Sequence, residues 1–95
     1  MSDCSKHKKE VAGITDMKVL AEMIGDLHYE TLEELLGRLG TKLYLDGLND
    51  RSHGRQLLGY ALTDASDAMY KSAKHIAEAW HISKPFMQQQ KNNNP

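Results

Sequence analysis

The sequence predicts an all-α protein organised as a long antiparallel helical hairpin that pairs with a second copy into a four-helix bundle. Three observations lead there. Apolar residues recur at spacings of three and four through two long stretches. Leu, Ala and Met dominate the apolar residues, and aromatic and β-branched side chains are scarce, which favours helix over strand. The only prolines are Pro85 and Pro95, so nothing of that kind interrupts a helix before Lys84.

The first stretch carries Leu20, Met23, Ile24 and Leu27, then Leu32, Leu35, Leu36, Leu39 and Leu43. Thr15 or Asp16 offers an N-cap, since a short side-chain oxygen accepts from an unpaired helical N–H. At about 100° per residue the two leucine groups do not share one face. Either one helix touches two neighbours, or the chain breaks near Tyr29-Glu30, with Thr31 and Glu34 forming a capping box for a second helix. A continuous helix from 16 to 39 is the preferred expectation. Gly37, Gly40 and Gly47 weaken helix between residues 37 and 48, and Asn49–Gly54 reads as the clearest loop.

The second stretch steps by fours and threes through Leu58, Leu62, Ala65, Met69, Ser72, Ile76 and Trp80. It predicts a helix over 52–83, packed along that stripe and closed by Pro85, which disfavours helix at Lys84. Residues 1–14 and 88–95 read as polar, disordered tails around a single helical domain at 15–87. The first helix carries more apolar stripe than one partner helix covers. That surplus predicts a dimer, with a monomeric three- or four-helix bundle as the competing architecture. The expected interface residues are Leu20, Ile24, Leu27, Leu32, Leu35, Leu36, Leu39 and Leu43, joined by Trp80 and Phe86 at the bundle end.

Composition narrows the function classes. Twelve basic and 13 acidic residues give a formal net charge of −1, which argues against a dedicated nucleic-acid domain. A basic arm (Lys6-His7-Lys8-Lys9) and a cluster at Arg51, His53 and Arg55 keep phosphate binding as the weakest expectation. Cys4 is the only cysteine, so a reducing, cytoplasmic location is expected. No membrane span or membrane partner is expected.

Candidate chemistry is sparse. Glu30 and Glu33 (E-x-x-E), with Glu34, lie on the first helix, and Asp64 and Asp67 (D-A-S-D) on the second. Paired carboxylates on neighbouring helices can hold Mg²⁺ or Mn²⁺ for phosphate chemistry. These two motifs resemble those of the all-α nucleotide pyrophosphohydrolases. The resemblance covers only these acids and implies a metal-dependent hydrolase. Glu78 and His81 have the spacing of a bundle metal pair but fall opposite the apolar stripe, where His75 and Glu78 make a surface pair instead. His28, on the apolar side, reads as a core-edge residue bonded to backbone or carboxylate. No catalytic residue and no cofactor are assigned. The leading expectation is a non-enzymatic helical protein–protein interaction module, an adaptor, regulator or inhibitor.

Overall fold

The computed structural model describes residues 7–93, with side chains to Phe86. Three helices occur in order: α1 (Met17–Gly25), α2 (Tyr29–Ser52) and α3 (Gln56–Asn93). Among the described residues the one extended feature is an antiparallel bridge between Val11 and Ile14. α2 and α3 pack against each other as an antiparallel hairpin. The chain is long and flat, 59 × 27 × 14 Å, with a radius of gyration of 17.4 Å. A compact chain of this length has about 12 Å.

The first expected helix is two helices. α1 starts where Asp16 accepts from the Lys18 and Val19 amides at 2.9 and 3.4 Å, and it ends at Gly25. α2 then starts at His28, which takes the capping position assigned to Thr31. The break lies between the two leucine groups, and its sequence signal is Gly25-Asp26, residues poor at continuing a helix. The chain thereby turns each group separately, as two stripes on different faces require.

α2 also runs further than expected, through Gly37, Gly40 and Gly47 to Ser52, so the loop shrinks from 49–54 to His53–Arg55. Its end is a Schellman turn. The Arg55 amide donates to the Asp50 carbonyl at 2.8 Å, and the Gly54 amide to that of Arg51 at 3.1 Å. Gly54 adopts φ +84°, the left-handed conformation such a turn needs. The Arg55–Asp50 ion pair (Nε–Oδ1 2.7 Å) locks it.

α3 starts at Gln56 and continues through Pro85 to Asn93, past the expected stop at 83. Pro lacks an N–H to give the carbonyl four residues back. One turn earlier the Ser83 hydroxyl donates to the Trp80 carbonyl at 3.0 Å. The backbone of 88–93 is therefore helical where a tail was expected. Met1–Lys6, including Cys4 and the start of the basic arm, and Asn94–Pro95 lie outside the described residues.

The largest correction concerns which residues hold the hairpin together. The stripe Leu58–Ile76 was expected to face the partner helix. The contact instead uses small residues one position along: Gly40 and Gly47 on α2, and Gly59, Thr63 and Ser66 on α3. A methyl group at Gly47 would sit 2.7 Å from Thr63 Cγ2 and 2.8 Å from the Gly59 carbonyl oxygen. Ser66 is fully buried, and its Oγ donates to the Gly40 carbonyl at 2.7 Å. Tyr70 lies over Gly40 and hydrogen-bonds Thr41 Oγ1 at 2.7 Å. Two of the three glycines that read from sequence as weak points, Gly40 and Gly47, are points of close approach, and Gly37 is not.

Candidate functional site

Because the small-residue seam brings α2 and α3 into contact, the leucines are displaced about a quarter turn onto one broad side of the hairpin. Leu32, Leu35, Leu36, Leu39 and Leu43 lie there on α2. Leu58, Leu62, Ala65, Met69 and Ile76 lie there on α3. At the loop end Leu43, Leu58 and Leu62 share one cleft with Lys42, Asp46 and Asp50, and His7 of the N-terminal segment borders it. Leu32 is the one buried apolar side chain among the described residues, at 8% exposure. Leu36, Leu43, Leu62, Met69 and Ile76 are half-buried, while Leu35, Leu39 (42%) and Leu58 are exposed. Leu20, Ile24 and Leu27 are half-buried, and α1 contains no buried residue.

This leucine face is electrically quiet. Lys42 Nζ binds both carboxylate oxygens of Asp46 at 2.8 Å. Asp50 is held by Arg55. Each charge bordering the cleft on the helices is thus matched within the chain.

At the open end His28 joins the elements. Its Nδ1 accepts from the Glu30 amide at 3.1 Å, capping α2. Its ring meets Trp80 edge-on, with centroids 4.4 Å apart, and Lys84 Nζ lies over the indole, 5.0 Å from its centroid. Trp80 is half-buried and closes this end, while Phe86 remains exposed. Replacing His28 by Ala removes both the cap and the ring contact. We expect a loss of about 1 kcal/mol and a melting temperature about 5 °C lower, with the emission of Trp80, the only tryptophan, altered in the folded state.

The carboxylates are not gathered. His28 against Trp80 and Gly40 against Tyr70 fix the register, placing Glu30, Glu33 and Glu34 opposite residues 74–78 of α3. Asp64 and Asp67 lie opposite residues 41–44. Between Asp67 and the level of Glu34 the helix axis advances about 10 Å. Glu34 is paired with Arg38 at 2.8 Å. Among the described residues no group of three potential ligands converges. Of Glu78 and His81, Glu78 meets His75 at 3.4 Å on an exposed turn.

The basic cluster is likewise committed within the chain. The Arg51 guanidinium stacks on Tyr60, 4.5 Å from the ring centroid, Arg55 pairs with Asp50, and His53 Nδ1 contacts the Asn49 carbonyl oxygen at 2.8 Å. His7, Lys8 and Lys9 are exposed. No helix among the described residues is long and apolar enough to cross a membrane.

Fold and surface together define a helical hairpin with a glycine-and-serine seam and an open leucine face. No protein-family model, curated protein or solved structure matches the chain.

Proposed function

We propose that the chain is a non-enzymatic interaction module whose working part is the leucine face of the α2–α3 hairpin. The observation that carries this reading is the exposure of Leu35, Leu39 and Leu58 on one side of a hairpin held by another set of residues. Exposed apolar side chains grouped on one face mark association sites when the patch is contiguous and rimmed by polar residues. The competing metal-dependent reading needs Glu30, Glu33 and Glu34 to meet Asp64 and Asp67, and the helix register favours their separation. The phosphate-binding reading has its loop arginines engaged elsewhere. The same proposal puts the protein in a reducing compartment, the cytoplasm, because Cys4 is its only cysteine.

The two main readings separate in one titration. On this proposal, Mg²⁺ or Mn²⁺ at millimolar concentration leaves the melting temperature unchanged, since no preformed site gains affinity on folding. A metal-dependent rise that Asp67→Asn abolishes would establish the carboxylates as a site and overturn the interaction reading.

A further inference from the structure

We infer that the occupant of the leucine face is a second copy of this chain, laid across the first about a two-fold axis to complete a four-helix core; this rests on the interaction reading above. The chain exposes 7706 Å², whereas a compact protein of 10.7 kDa exposes about 5500 Å². The excess is roughly 2200 Å² per chain. Obligate homodimers bury about 2000–5000 Å² over both partners. Two elongated copies together carry roughly 4400 Å² of surface beyond that of compact proteins, which lies within that range.

A partner of opposite charge needs unmatched charge on this surface to read. Here Lys42 is matched by Asp46 and Asp50 by Arg55. Apolar at its centre and matched in charge along both helices, this surface meets a copy of itself without like-charge cost there, the condition an isologous interface imposes; exposed His7 borders it only at the loop end. The leucines extend from Leu32 to Leu43 on α2, and their counterparts from Leu58 to Ile76 on α3. The stripe therefore runs along most of the hairpin, as bundle packing requires and a short peptide groove does not.

Leu39 is 42% exposed and its side chain leaves α2 about 100° round from its chain neighbour Gly40, so Leu39→Asp perturbs the face more than the seam. Leu45, 56% exposed, lies on the outer edge of α2, away from this face. Light scattering at tens of micromolar is expected to give twice the chain mass of 10.7 kDa for the natural protein and for Leu45→Asp. Leu39→Asp is expected to give a single chain mass with its helical circular dichroism retained at 10 °C. If Leu39→Asp instead unfolds, the milder Leu39→Ser is read at the same concentrations, and a shift of its dimer dissociation constant by tenfold or more supports the proposal. A dimer unaffected by either variant would overturn the assigned face. A natural chain that is monomeric and helical, and that binds an apolar fluorescent dye less after Leu39→Asp, would overturn self-association while leaving the interaction reading standing. A monomer that binds no dye has folded over its own leucines and would overturn both.

Discussion

Replacing Gly47 by Ala is expected to lower the melting temperature by about 10 °C at fixed protein concentration. The added methyl group would stand 2.8 Å from the Gly59 carbonyl oxygen and 3.2 Å from the Thr63 amide nitrogen. Both are backbone atoms, so no side-chain rotation relieves the overlap and the helices must separate. Overpacking of this kind costs about 1–3 kcal/mol and occasionally more. The gain in helix propensity, about 1 kcal/mol, opposes it. Separation at Gly47 also loosens the neighbouring contacts at Gly40 and Ser66, which brings the net loss to about 2 kcal/mol. Gly59→Ala should behave alike, since its methyl would meet the Arg51 side chain and the Gly47 carbonyl oxygen. Gly37 is the internal control. A methyl there meets nothing within 4 Å, so Gly37→Ala should stabilise by up to about 1 kcal/mol. Thermal melts of the three variants check the sign of each effect. If all three glycines respond alike, propensity decides and the seam is not where the helices meet.

The second large effect is expected at Ser66. This residue is fully buried at the crossing, and its hydroxyl reaches the Gly40 carbonyl at 2.7 Å. Ser66→Leu forces extra carbon into a fully buried position between the two helices. The expected loss is about 3 kcal/mol, enough to leave a small hairpin largely unfolded at 37 °C. Ser66→Ala keeps the small volume and loses only the hydrogen bond. Gly40's carbonyl still accepts its helical bond from four residues on, so it is not orphaned. That variant should lose about 1 kcal/mol. Urea denaturation of the pair distinguishes packing from hydrogen bonding: a seam limited by space separates the two midpoints widely, and one limited by the hydrogen bond leaves them together.

The helical class and the antiparallel hairpin are legible because three–four periodicity and composition act through local geometry. Two features are harder. The break before α2 is one of two readings the leucine pattern allows, and not the preferred one. Its signal at Gly25-Asp26 is weak, and a histidine, outside the usual capping residues, supplies the acceptor. The seam is harder still. Hydrophobic periodicity finds the most apolar stripe, and in α3 that stripe is Leu58–Ile76. The inner stripe, Gly59, Ser66 and Ala73 at intervals of seven, carries little hydrophobicity and so little periodic signal. Its role comes from the absence of side-chain volume, which lets backbones approach. Ser66 hides for the same reason, as one polar residue among many. The surplus of the Leu32–Leu43 group over what one partner helix covers is legible, because it needs only the count and spacing of leucines. The paired acids are legible as motifs only, since spacing along one helix does not report the register between two.

The central claim is that this hairpin leaves its apolar core to be completed by another copy. Its most direct test is the melting temperature as a function of concentration, monitored by circular dichroism from about 1 to 100 µM. Coupled folding and association predicts a midpoint that climbs steadily with concentration, by mass action. A midpoint constant across that range, with full helicity at the lowest concentration, would contradict the claim and show a chain that closes its core alone.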